Sequence, residues 1–286
     1  MWMEKLLQMK ISKLFALCVF LLPVFHIQAQ EMEVMTYNIK YANEKDGENS
    51  WSKRKAWITS QIGFYEPDIL GVQEAVKAQL EHFSEELDQY AVIGEARDGG
   101  DKGEFSAILY KKEKFDILKE DTFWLSQTPD EVSRGWDADF NRVCTYALFE
   151  NKETGEKFWI FNTHFDHVGT EARRESSKLI TSKIKELNKE ELPVLLMGDF
   201  NLEPDSEEIK MISEFLVDSR DKADKTFGPE GTFNGYNFSE PVTRRIDYIF
   251  SNEEVLVIKY AVLSDSKDLR YPSDHFPVMV EVEFSE

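Results

Sequence analysis

Apolar residues recur along this chain in two rhythms, one suited to strands and one to helices. Short apolar or alternating runs predict strands at residues 32–39, 69–72, 90–96, 105–110, 115–119, 142–149, 157–164, 194–197, 245–250, 255–263 and 277–284. Between them, apolar positions three and four apart predict helices. Trp51, Ile58, Ile62 and Tyr65 share one face of a segment at 50–65, and Val76, Leu80, Phe83 and Leu87 share one face of the next. A third helix is expected at 170–188 and a short one near 206–214. The run Val194-Leu195-Leu196-Met197 reads as a buried strand, with Gly198 marking its end. Strands and helices alternate at both ends of the chain around a β-rich middle, an α/β pattern. Three connections, residues 97–104, 128–141 and 219–243, are longer than usual. Such loops are either functional rims or surface insertions, and the sequence leaves both open.

The first 29 residues depart from this pattern. Lys5, Lys10 and Lys13 precede an apolar stretch from Leu14 to Phe25, followed by Ile27-Gln28-Ala29. That is the layout of a secretory signal peptide, and the stretch is short for a membrane span. We expect cleavage after residue 29, export to the periplasm or the exterior, and one domain over residues 30–286. No stable membrane insertion is expected after cleavage, and the mature chain is expected to be a monomer. Cleavage removes Cys18 and leaves Cys144 alone, so no internal disulfide can form and the core must hold the fold.

Charge narrows the partners. The formal net charge is −20, and residues 1–29 carry three lysines and one glutamate, a net of +2, so the mature chain stands near −22. Such a field argues against a broad grip on duplex DNA. It does not exclude phosphate chemistry, because a bound divalent cation reverses the local potential.

Polar residues appear repeatedly at the tips of apolar strands. Asn38 ends the first and Glu74 the second; His164 and Asp166 follow Trp159-Ile160-Phe161. Asp199 and Asn201 follow the 194–197 run, Asp247 lies within Arg245-Ile246-Asp247-Tyr248, and Ser273-Asp274-His275 precedes the last strand. In open α/β folds ligands bind at strand ends. Asn38, Glu74 and Asp274 offer oxygen ligands suited to Mg²⁺ or Mn²⁺. Asp199 could orient or deprotonate a water, held in register by the Asn201 amide. His275 could contact phosphate, oriented by Asp247, and His164 could stabilise pentavalent phosphorus or protonate a leaving oxygen. Several single residues keep a plainer reading. Asp199 and Asn201 also suit an Asx turn, and Glu74 suits the first turn of a helix. Asp166 and His167 suit a rim. Arg142 suits either a phosphate oxygen or a surface ion pair. Trp124, Trp136 and Phe140 suit either loop packing or a stacking surface.

In order and spacing, "MTYNIK", "PDILGVQE", "NTHFDH", "GDFN", "RRIDYIF" and "SDHFPV" resemble the endonuclease/exonuclease/phosphatase superfamily. This group includes DNase I-like nucleases, apurinic endonucleases, inositol polyphosphate phosphatases, neutral sphingomyelinases and deadenylases. The resemblance covers about residues 32–284 and implies a four-layer α/β sandwich, two central mixed β-sheets flanked by helices. By motif it implies metal-side roles for Asn38, Glu74 and Asp274, and a phosphate-side role for His164. It makes Asp199 and Asn201 the water-activating pair, and Asp247 and His275 an acid–histidine dyad. Lys40 departs from the apurinic endonucleases, which carry an acid there, so neither an abasic-site role nor a second metal at that place is implied. Ile246-Asp247-Tyr248 departs from the Cys-Asp-Arg of the phosphatase branch, and the motifs look closer to the deadenylase-like branch and its bacterial relatives. The expectation is an exported Mg²⁺- or Mn²⁺-dependent phosphoesterase, with a phosphodiester favoured. A sphingomyelinase-type lipid-headgroup phosphodiesterase and a catalytically silent binding protein on the same fold are the alternatives. The substrate, whether nucleotide, lipid headgroup, inositol or sugar phosphate, is left open.

Overall fold

The four-residue run at the start of β8 (Val194–Asp199) shows how the layers are built. Alternate side chains of a strand point to opposite faces. Leu195 and Met197 lie in a core between two sheets, whereas Val194 and Leu196 lie in a second core under helices. A strand sandwiched on both faces has no polar side to show, so its sequence is continuously apolar. Fully burying each such side chain contributes roughly 1.5–3 kcal/mol.

The computed structural model describes residues 31–285; the leader expected at 1–29 lies outside them. The first sheet has seven strands. Its centre is β1 (Met32–Asn38), flanked by β2 (Ile69–Ala75) in parallel and β13 (Val278–Phe284) in antiparallel. Beyond β2 lie β4 (Phe105–Lys111) and β3 (Tyr90–Ile93); beyond β13 lie β12 (Val255–Val262) and β10 (Lys225–Phe227). The second sheet runs β5 (Phe115–Trp124), β6 (Val143–Asn151), β7 (Lys157–His164), β8, β11 (Asp247–Ser251), β9 (Val217–Asp218). Both sheets are mixed. On the outer face of the first, Ile58 and Ile62 of α1 (Trp51–Tyr65) and Leu80 and Phe83 of α2 (Lys77–Glu86) pack onto Met35, Tyr37, Leu70 and Val72. On the outer face of the second, Ile180 and Ile184 of α3 (Thr170–Leu187) and Ile209 and Ile212 of α4 (Glu207–Ser213) pack onto Phe161, Leu196 and Tyr248. The result is the expected four-layer sandwich of the DNase I-like type.

Three expectations change. β5 extends five residues past Lys119, through a bulge after Ile117. Leu118, Lys119, Glu120 and Asp121 are exposed because β5 is a sheet edge, where charge is tolerated and read as a strand's end. The 219–243 connection contains a short helix α5 (Ser219–Lys222) and the edge strand β10, whose residues are all exposed. Gly198 does not end β8; the ladder continues through Asp199. Gly198 has φ +148°, and a Cβ there would lie 2.0 Å from the Thr163 carbonyl oxygen, so only glycine lets β8 close on β7 at that point.

Candidate active site

Following the inner faces of the two sheets toward one end, the core changes character in steps. Val34, Ile69, Ile160, Leu195, Met197 and Ile249 are apolar. Next comes a buried amide layer. Gln73 Nε2 donates to Thr36 Oγ1 (3.0 Å) and across the sheets to Asn162 Oδ1 (2.6 Å). Asn162 Nδ2 donates to the carbonyls of Val72 (3.0 Å) and Ala107 (2.7 Å). The β2–β4 ladder breaks its register just after Val72–Ala107, so an amide from the opposite sheet fills the gap. Gly71 makes room, since a Cβ there would lie 2.7–2.8 Å from Met197 and Asn162. Beyond this layer lie the ionisable groups.

Strand register alone brings three of them side by side. His164 pairs with Asp199 across parallel β7–β8, and Asp199 pairs with Asp247 across antiparallel β8–β11. Asp199 continues the inner column of Leu195 and Met197, two residues per step. Its two oxygens divide the work that the sequence left ambiguous. Oδ1 accepts the Asn201 backbone N–H (2.9 Å), an Asx turn. Oδ2 accepts from Asn38 Nδ2 (2.9 Å) and lies 3.5 Å from His164 Nε2 and 3.7 Å from His275 Nε2. Both readings therefore hold, one per oxygen. Asn201, at φ +52°, donates through Nδ2 to the Phe165 carbonyl (3.0 Å) and to His164 Nε2 (3.1 Å). Burial, with Arg142 nearby, holds the His164 pKa well below the ordinary value, so its ring is neutral. His275 behaves oppositely. Burial works against its charge, but Asp247, bonded to Nδ1 (2.9 Å), and Asp199 push its pKa up to about 10. Burial and the charge of Asp247 raise Asp199 to about 7.

The first sheet supplies the rest of this acidic wall. Asn38 ends β1; its Nδ2 also donates to Glu74 Oε1 (3.0 Å), and its Oδ1 accepts the Lys40 N–H (3.0 Å). Glu74 takes a left-handed φ of +60° at the β2 bulge, and Oε2 accepts the Tyr41 N–H (3.1 Å). Lys40 Nζ sits 3.7 Å from Glu74 Oε2 and 3.5 Å from Asp274 Oδ2. Ser273 Oγ donates to the Asn38 carbonyl (2.7 Å), tying the Ser273–His275 stretch to β1. The structure thus gathers Asn38, Glu74, His164, Asp199, Asn201, Asp247, Asp274 and His275 around one cleft of about 540 Å³. Asp199, Asp247 and His275 bring ligand atoms within 4.8 Å of one another and could hold a metal ion.

The other wall of the cleft is cationic and was largely missed. Arg97, Arg142, His167 and Arg244 line it, together with Phe140 and Phe233. All three long loops supply part of it. Arg142 is buried, not a surface residue; its Nε has no hydrogen-bond partner among the described residues and lies 3.5 Å from Asp166. Arg97 Nη1 pairs with Glu104 (2.8 Å), and its guanidinium lies 4.6 Å from the Phe140 ring centre. Trp124 is packed away, its indole donating to the Arg97 carbonyl (2.7 Å), whereas Phe140 faces the cleft beside His167. Asp166 is a clamp: it accepts the N–H groups of Val168, Gly169, Asp139 and Phe140 (2.8–3.2 Å). Burial works to raise its pKa, but those four donors hold it at about 2. Arg54 was also missed. Buried on α1, it donates to the carbonyls of Asn49, Ile39, Lys40 and Pro272 (2.6–3.1 Å) and so ties down the segments that carry Asn38 and Asp274. Three residues past Trp51 and four before Ile58, it stands on the buried face of α1, and an arginine at that spacing is the signal that could have found it.

Comparison with known proteins places this geometry. Residues 35–275 match the endonuclease/exonuclease/phosphatase family. An endonuclease/exonuclease/phosphatase family protein from Bacteroides thetaiotaomicron is 40% identical with a TM-score of 0.87, over 91% of this chain and 100% of that one. A mannosyl-6-phosphatase from the same organism is 40% identical with a TM-score of 0.85, over 88% of this chain and 100% of that one. The 3'-5'-exoribonuclease subunit Ccr4 of Saccharomyces cerevisiae is 24% identical over 82% of this chain. The chain spans 35–59% of the length of the curated relatives it matches.

Proposed function

The chain belongs to the endonuclease/exonuclease/phosphatase family, and from that premise we propose that it is an exported, Mg²⁺- or Mn²⁺-dependent phosphoric ester hydrolase whose substrate is a sugar phosphate monoester. The observation that carries the hydrolytic reading is Asp199 Oδ2, buried at the centre of the cleft and ringed by Asn38, His164 and His275. The sequence alone favoured a phosphodiester and turned from the phosphatase branch at Ile246 and Tyr248. The 40%-identical mannosyl-6-phosphatase supports a monoester instead, and a cleft of about 540 Å³ suits a small ligand.

The residues present fit a divalent cation. Three buried carboxylates, Asp199, Asp247 and Asp274, and the half-buried Glu74 face Lys40 and His275 as the cations of the acidic wall among the described residues. Glu74 would hold the ion, with Asn38 and Asp274 beside it. Asp247 is already bonded to His275 Nδ1 (2.9 Å), so a seat on that pair would cost its hydrogen bond. When bound, the ion would polarise a phosphoryl oxygen and offset the charge that builds up on it. Asp199, with a pKa near neutrality, would take a proton from water and hold the water's oxygen in line with the ester; the new P–O bond forms as the bond to the sugar oxygen breaks, and that oxygen takes up a proton from solvent. Asn201 holds that carboxylate through its backbone N–H. The His275 imidazolium, oriented by Asp247, donates to a phosphoryl oxygen, and Arg142 offers its guanidinium to another. His164, neutral and accepting from Asn201, keeps the amide in place and packs against the phosphate.

A panel with Mn²⁺ tests the proposal, using mannose 6-phosphate, glucose 6-phosphate, bis-p-nitrophenyl phosphate, RNA, single-stranded DNA and sphingomyelin. Hexose phosphates should be hydrolysed fastest, and EDTA should abolish turnover. Preference for a diester would return the assignment to a phosphodiesterase; no turnover on any member would favour the binding protein. Export predicts a mature N-terminus near Gln30, read by sequencing the secreted fraction.

A further inference from the structure

Lys40 is built into the acidic wall with unusual care for a lysine. Its backbone adopts a left-handed φ of +57°, a conformation uncommon for residues other than glycine. Three bonds pin it there: its N–H to Asn38 Oδ1 (3.0 Å), and its carbonyl to Arg54 Nη2 (3.1 Å) and Gln79 Nε2 (3.0 Å). From this fixed base the side chain reaches between Glu74 and Asp274. Its ammonium is the one cation touching both carboxylates among the described residues. Yet the contacts, 3.7 and 3.5 Å, are longer than a hydrogen bond. The side chain is about a quarter exposed and borders the open cleft. The base is rigid and the tip is loosely held.

We propose that the Lys40 ammonium is a resident counter-cation for the Glu74–Asp274 pair, and that a divalent ion binds by displacing it. This inference rests on the metal-dependent reading above. Without a cation, these two largely enclosed carboxylates would repel one another. With Lys40 in place the empty wall is electrostatically tolerable, at the cost of competition when the ion arrives. A divalent ion carries twice the charge and so wins the exchange, while the lysine stem lets the ammonium swing toward the phosphate side of the cleft. No bond is made or broken covalently, and the ammonium stays protonated throughout.

The test is Mn²⁺ binding by calorimetry, with no substrate present, on the wild type, Lys40→Met and Lys40→Arg. Lys40→Met should bind Mn²⁺ about tenfold or more tightly than wild type, because the competing charge is gone. Lys40→Arg, which keeps a cation, should stay within about threefold of wild type. In EDTA, Lys40→Met should melt at a lower temperature than wild type, and saturating Mn²⁺ should close the gap. Mn²⁺ affinity in Lys40→Met equal to or weaker than wild type would overturn the proposal. A wild type that binds no Mn²⁺ would instead remove the metal-dependent reading, and the melting temperatures in EDTA would still judge the counter-cation role. Lys40→Gln replaces the Met variant should that one misfold.

Discussion

The two walls of the cleft are made differently. The acidic wall rests on strand tips: Asn38, Glu74, Asp199 and Asp247 lie within β1, β2, β8 and β11, fixed by ladder register. The cationic wall rests mainly on long loops, with Arg97, Phe140 and Arg244 outside any strand and Arg142 just before β6. Rigid elements hold reacting groups to within fractions of an ångström, whereas loops can vary without moving them. On the proposed function, the contrast puts chemistry on the acidic wall and recognition on the cationic one.

The largest effect should come from the acidic wall. Asp199→Ala is expected to lower kcat/KM about 10³-fold or more, with the melting temperature little changed. Near-normal turnover would separate the strand tips from the chemistry. On the cationic wall, Arg142→Met should lower kcat/KM by about 10²-fold and weaken inhibition by inorganic phosphate. Because the Arg142 Nε has no hydrogen-bond partner among the described residues and only a 3.5 Å approach to Asp166, removing the guanidinium should leave the melting temperature little changed. A fall in stability with unaltered kinetics would make it a structural residue instead.

The smallest catalytic effect belongs to Asp166, whose carboxylate gathers four backbone N–H groups behind the cationic wall and lies 3.5 Å from Arg142 Nε. Asp166→Asn should cost about 1–3 kcal/mol of stability and change kcat little. The carboxyl titrates at about 2 in the folded protein, below its ordinary value of 3.8. Its contribution is therefore complete above about pH 4 and lost as pH falls through 2. Urea melts of wild type and variant should accordingly diverge at pH 6 and converge near pH 2.

The same contrast explains what could be read from sequence. The eight acidic-wall and dyad residues were visible because each stands at a polar break in an apolar rhythm, and strand tips converge in an α/β sandwich. Arg97 and Glu104 carry no such mark, since their partners lie across a loop whose path the sequence does not encode locally. Arg54 stands at helical spacing on the apolar face of α1, between Trp51 and Ile58, so its burial was legible there, whereas the exposed half of β5 was hidden by the charges that sheet edges tolerate. Lys40 was visible only as a departure from a motif; its place between Glu74 and Asp274 depends on a left-handed backbone.

The register across β7, β8 and β11 has a consequence for how activity is acquired. His164, Asp199 and Asp247 are far apart in sequence and meet only when a parallel pair and an antiparallel pair close together. A slip of one residue on β8 would turn Asp199 outward under the helices and Phe200 inward. No partly paired intermediate can then be partly active. Non-local pairings of this kind form late, so during refolding hydrolysis should appear as a step that follows the gain of secondary structure, and newly made chain should stay catalytically silent until its second sheet has zipped shut.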